Sequence, residues 1–170
     1  MVAARHLHHF GYKPIIFYPK PSKPELFTRL QTQLRSLSVP FTEDFDQTLR
    51  SSDFVIDAIF GFSFKPPIRE PFPTVIQALI DTSKPVLSVD TPSCWDIESG
   101  PPKEGELGAS FMPPYLISLT AAKPNVRFYK GTHFIGGRFL SEEMAHKYDL
   151  EVPDYQGVDQ IVEVPVRNSG

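Results

Sequence analysis

The 170-residue chain has one cysteine, Cys94. A single thiol excludes an internal disulfide framework and a cysteine-rich metal site. It fits a reducing compartment, the cytoplasm or the mitochondrion. No apolar run is long enough to cross a bilayer. The first ten residues are basic and histidine-rich, without the apolar centre of a secretory signal. A net charge of −3 carries no basic stripe, so neither nucleic acid nor a membrane is an expected partner. Proline is not scarce: there are 18, clustered at 13–24, 66–73 and 101–114, where they mark loops.

What the chain does have is a pair of apolar runs, each ending in an acid. Phe54 through Phe60 contains Asp57, and Val86 through Val89 runs into Asp90. Short continuous apolar runs suit strands of a parallel sheet buried on both faces. An acid at the end of such a run lies at the sheet's carboxyl edge, where open α/β folds bind ligands. A helix with Val75, Ile76, Leu79 and Ile80 inward is expected over 71–82, so the two strands form one βαβ unit.

Around that unit the periodicity predicts helices over 2–10, 25–38, 43–50 and 141–147. Leu26, Leu30, Leu34 and Leu37 form the inner face of the second. Strands are predicted over 15–18, 39–41 and 115–120, with an edge strand over 132–139 and a polar tail over 151–170. Alternating strands and helices argue for a three-layer α/β sandwich. The first helix has no capping residue and no strand before it.

Several residues can carry chemistry. Asp57 either has its carboxylate satisfied by backbone donors at the strand end or serves a ligand through a partner or cation. Asp90 either caps the loop through the Ser93 or Cys94 amide or moves a proton on a ligand. Ser93 lacks the glycine pattern of a nucleophile elbow and reads better as an oxygen ligand for a hard cation. Cys94 without a motif reads as packing. Gly61, Phe62, Ser63, Phe64 and Lys65 form a loop that could stack on a flat ring and meet phosphate, or could be an apolar lid. His6, His8 and His9 read better as a solvated face than as a metal site.

Four segments in order carry a resemblance. They are Asp57 through Lys65, Ser88 through Asp96, Leu116 through Ala121 and His133 through Phe139. Together they resemble the NAD(P)H-hydrate epimerase family, also called the YjeF N-terminal domain or apolipoprotein A-I binding protein family. The resemblance implies a Rossmann-like domain over 1–150 with 151–170 as its C-terminal tail. It implies a homodimer that interconverts the R and S forms of NADHX or NADPHX for cofactor repair, with a potassium ion. By motif, Asp57 and Ser93 would be potassium ligands, and Gly61 through Lys65 would contact substrate. Asp90 would bind substrate and act as acid and base.

Three positions depart from the family's pattern: Cys94 and Pro66 stand where glycine is usual, and Thr91 where an aliphatic residue is. The resemblance also implies a central strand and a glycine- and asparagine-rich phosphate loop directly before the first helix. Met1 falls where that loop would end. The domain is therefore expected to be incomplete at its N-terminus, with unpaired backbone on neighbouring strands and its activity in question. A non-catalytic binding or dimerisation module on the same fold is the alternative, and a generic nucleotide-binding domain a weaker third.

Overall fold

The computed structural model describes residues 1–165. Residues 166–170, the end of the expected tail, lie outside the described residues. The chain forms two compact units, Met1–Ser52 and the remainder from Asp53 onward.

In the first unit the order is α1 (Val2–His9), β1 (Ile16–Phe17), α2 (Glu25–Ser36), β2 (Phe41–Thr42) and α3 (Phe45–Ser51). α1 stops at Gly11, whose φ of +88° is a conformation that glycine adopts without cost. The α2 core face is the expected one without its first turn. Leu34 is buried and Leu30 and Leu37 half-buried, but Leu26 in the first turn is 62% exposed. Asp44 caps α3 by accepting from the Gln47 amide at 2.9 Å. β1 and β2 pair in parallel, Ile16 opposite Phe41.

The second unit is a five-stranded sheet in the order β3-β4-β5-β6-β7. The strands are β3 (Val55–Asp57), β4 (Val86–Val89), β5 (Tyr115–Leu119), β6 (Thr132–Gly136) and β7 (Ile161–Val164). β3 to β6 run parallel and β7 antiparallel. Parallel neighbours need a crossover, and α4 (Phe72–Asp81) supplies the one between β3 and β4. Pro73 sits in its first turn, where no backbone donor is required, and Val75, Ile76 and Leu79 are buried. The fold is α/β with a mainly parallel, Rossmann-like sheet.

Register explains where the polar groups go. Asp57 pairs with Ser88, Ser88 with Leu116, and Leu116 with His133, so these four form one row on one face. All are at most 2% exposed. Close to this row is an apolar cluster of Trp95, Leu116 and Tyr129, with Val126 against it. The Trp95 indole donates to the Phe111 carbonyl at 3.0 Å, and the Tyr129 hydroxyl to the Pro113 carbonyl at 2.9 Å. The proline-rich loop is thereby pinned over the sheet.

Three expectations change. β3 is shorter than the 54–60 run and lies at a sheet edge, with Ile56 38% exposed rather than buried on both faces. The residues after Asp57 leave the ladder and turn towards Ser93. β6 is an interior strand, not an edge. The edge beside it is β7, inside the segment read as a polar tail; its alternation of half-buried and exposed residues covers one face only.

Candidate active site

Asp57 and Asp90 end neighbouring strands, and both hold the loop between β3 and α4. Asp57 accepts from the Ser88 hydroxyl at 2.7 Å, the Ser93 amide at 3.0 Å and the Ser93 hydroxyl at 2.5 Å. A longer contact of 3.4 Å comes from the Ile59 amide. Ser93 Oγ in turn accepts from the Phe60 amide at 3.2 Å. Burial pushes the Asp57 carboxyl above the usual carboxylate range, and these hydrogen bonds only partly offset it. The backbone-satisfied reading of Asp57 thus holds in part, since two of the four donors are amides. All four are neutral, so the carboxylate has no counter-charge from them.

That chemistry fits a hard monovalent cation. Such an ion takes oxygen ligands. Here a buried carboxylate and a fully buried serine hydroxyl converge on one spot, where a positive charge would stabilise the ionised form. Ser93 is not placed as a nucleophile. Its hydroxyl is fully buried, so no substrate can reach it, and its proton is held by the Asp57 carboxylate. The Cys94 thiol is also inert: burial, with the Asp57 charge adding to it, pushes it up to about 12.

Asp90 is differently placed. It has φ +74°, and its amide donates to the Ile117 carbonyl at 2.7 Å. Its Oδ1 pairs with Lys123 Nζ at 2.8 Å. Its Oδ2 accepts from the Phe62 amide at 3.3 Å, not from Ser93 or Cys94 as the loop-capping reading had it. Lys123 is not among the residues expected at the site. The signal was available, because Lys123 follows β5 at the same carboxyl edge that singled out Asp90.

The 61–65 loop is a tight turn, with the Phe64 amide donating to the Gly61 carbonyl at 3.0 Å. Phe62 is 63% exposed, and Ser63 and Lys65 are exposed. Phe64 instead stacks on Phe60 with ring centroids 4.6 Å apart, so only one of the two aromatics is a free surface.

The three departures have local consequences. Cys94 takes φ +71°, a region suited to the usual glycine, at a cost of about 1 kcal/mol. Gly108 makes room for it: a Cβ there would lie 2.2 Å from Cys94 Sγ. The Thr91 hydroxyl accepts from the amide of fully buried Asn125, which also donates to the Asp96 carbonyl at 3.3 Å. Asn125 Oδ1 has no protein partner. Pro66 directly follows the 61–65 turn.

A cavity of about 410 Å³ lies elsewhere, at the amino edge of the parallel strands, between Pro114, Lys130, Thr132, His133 and Glu163. None of the expected site residues lines it. No described helix is long and apolar enough to cross a membrane.

Comparison with known proteins identifies the family. The family model for "YjeF-related protein N-terminus" matches residues 1–125. An NAD(P)H-hydrate epimerase of Ajellomyces capsulatus is 62% identical over 170 residues, spanning 100% of this chain and 71% of that protein. One of Schizosaccharomyces pombe is 51% identical over 169 residues, spanning 96% and 69%. A crystal structure of yeast ynu0, YNL200c, superposes with a TM-score of 0.86 at 38% identity, covering 96% of this chain and 70% of that one. On these matches and this fold, the chain belongs to the YjeF-related N-terminal family, in which its relatives are named NAD(P)H-hydrate epimerases.

Proposed function

We propose that this chain is an NAD(P)H-hydrate epimerase domain, with Asp90 as its acid and base. The observation that carries the reading is the placement of Asp90: a carboxylate at the sheet's carboxyl edge, with one oxygen facing the Gly61–Phe62 backbone. The substrate would be NADHX or NADPHX, hydrated on the reduced nicotinamide ring. Its hydroxyl-bearing carbon also carries the ring nitrogen, so it is a hemiaminal. Starting from the protonated Asp90 carboxyl, the nitrogen lone pair expels the hydroxyl as Asp90 gives that oxygen its proton, and an iminium ion, water and the Asp90 carboxylate result. Water returns to the opposite face and loses its proton to Asp90, which restores the carboxyl and completes inversion. Between those steps the carboxylate stabilises the cationic ring.

The exposed Phe62 ring offers a face to the nicotinamide, and the exposed Lys65 ammonium can meet a phosphate. Ser63 and Gly61 complete that loop. Asp57 and Ser93 would hold potassium, which when bound would supply positive charge beside a buried carboxylate. That the segment over 151–170 belongs to the same domain as 1–150 is supported by the pairing of β7 with β6. A homodimer, in the cytoplasm or the mitochondrion, completes the proposal.

The test is direct. The purified chain is given R-NADHX in potassium and, separately, in sodium buffer, and formation of the S form is followed by chiral separation. Faster inversion in potassium than without protein is expected. A chain that binds nucleotide yet leaves the R form unchanged would favour the binding-module alternative.

A further inference from the structure

We infer that Lys123 is a positioning residue: it fixes one oxygen of Asp90 so that the other, Oδ2, is the oxygen that works on substrate. The inference rests on the epimerase reading for what Oδ2 does, but not for how Asp90 is held.

An ammonium has three donors. Those of Lys123 have three acceptors in reach: Asp90 Oδ1 at 2.8 Å, the Leu119 carbonyl at 2.9 Å and the Ala121 carbonyl at 3.0 Å. None remains for a substrate, so Lys123 does not bind one; it acts through Asp90. The pair is mostly buried, with side chains 20% and 12% exposed, so water screens it less than a surface pair.

The backbone is bent to build this clamp. β5 ends at Leu119, and Thr120 takes φ +71°. The Ala121 amide donates to the Leu119 carbonyl at 2.9 Å, closing a three-residue turn, and the Thr120 amide is anchored on the Gly136 carbonyl at 2.9 Å. A turn of this kind at a non-glycine residue is strained. Its result is that two carbonyls face Lys123 Nζ at the end of a strand adjacent to that of Asp90. Asp90, directly after β4, carries a positive φ as well. Two strained residues, at the ends of paired strands, bring one ammonium and one carboxylate together.

The consequence falls on the two carboxylate oxygens. Oδ1 is spoken for. Oδ2 has the single long contact from the Phe62 amide, and the bare face of Gly61 lies beside it, since a Cβ there would stand 3.6 Å away. Oδ2 is thus the oxygen open to the loop that carries Phe62. Without Lys123 the carboxylate can rotate and exchange its oxygens.

Lys123→Met keeps the side-chain stem and removes the charge. Two readouts apply to the whole chain: the NMR position of the Phe62 amide, which reports on Oδ2, and kcat and KM for NADHX. The expected result is a displaced Phe62 amide and a kcat lower by roughly 10- to 100-fold, the usual scale for losing a group that orients a working ligand. KM should stay within about threefold, since substrate contacts are intact. Lys123→Arg keeps the charge but its planar fork does not match three convergent acceptors. It should give a smaller change of the same kind, and it decides the matter if Lys123→Met does not fold. A folded variant with the Phe62 amide in its parental position, or with parental kcat, overturns the inference. A parental chain that does not invert NADHX defeats the epimerase reading alone; the Phe62 amide then decides whether Lys123 holds Asp90.

Discussion

Asp57 and Asp90 come at the ends of adjacent parallel strands, yet they are held in opposite ways. Asp57 is wrapped by neutral donors in a fully closed place, and burial works against its charge. Asp90 meets a full positive charge on one oxygen and leaves the other towards a loop. The first carboxylate is closed off by neutral donors and the second keeps one oxygen towards a loop. Two acids that look alike in the chain thus have different surroundings, and the proposal gives them different work.

The sharpest way to break this comparison is to neutralise Asp90. Asp90→Asn should fold and should lower kcat for NADHX inversion by roughly 100- to 10,000-fold, the range for removing a general acid–base group. A variant inverting at the parental rate would put the proton elsewhere.

Removing Asp57 tests the other half. Asp57→Ala strands the Ser88 and Ser93 hydroxyls and the Ser93 amide in a dry place, so it should cost about 2–4 kcal/mol in chemical denaturation. Asp57→Asn should cost less, and should abolish any difference between potassium and sodium in the inversion assay. A potassium effect that survives it would remove Asp57 from the ion's ligands.

A third test uses the far end of the same buried row. His133 lies against Ser118 Oγ at 2.9 Å, and burial, with the Lys123 charge adding to it, lowers its pKa to about 4. The unfolded chain therefore binds a proton near pH 6.5 that the folded chain refuses until about pH 4. Stability from this site is whole above pH 6.5 and is lost as pH falls, by about 2–3 kcal/mol at pH 4. Asp57 works the other way, because its raised pKa lets the folded state gain a proton on acidification. In urea unfolding across this range, His133→Gln should lose less stability than the parent. An identical slope would contradict the assignment.

The smallest expected effect concerns the loop between β4 and β5. Gly108→Ala forces a Cβ against Cys94 Sγ and onto φ +91°, and should cost about 1–2 kcal/mol. In a Cys94→Gly background the clash is gone, so the cost should shrink to the backbone part. Equal costs in both backgrounds would mean that the two residues are uncoupled.

Much of this was legible in the chain. The apolar runs ending in Asp57 and Asp90, the proline-started α4 and the strand at β5 follow from local pattern. Asp57 and Ser93, both singled out in the sequence, meet in a hydrogen bond. What escaped depends on tertiary detail. β7 is short and half polar, so it read as tail. The end of β3 is decided by the pull of Ser93 on the Phe60 amide, a contact between distant residues. Phe64 looked free because nothing local shows that it stacks on Phe60. Lys123 is marked in the sequence only as the cation that a strand-end acid such as Asp90 requires, and which lysine fills that place is decided by β4 and β5 lying side by side. The strained φ values of Asp90 and Thr120 have no sequence mark at all, since neither residue is glycine.

The proposed inversion is loss of a hydroxyl and addition of solvent water at the same carbon, managed by Asp90. Inversion of NADHX by the parental chain in heavy-oxygen water measures this most directly. Each inverted molecule should carry a heavy oxygen from solvent, and Asp90→Asn should slow inversion and oxygen incorporation together. Inverted product that keeps its original oxygen would contradict the account.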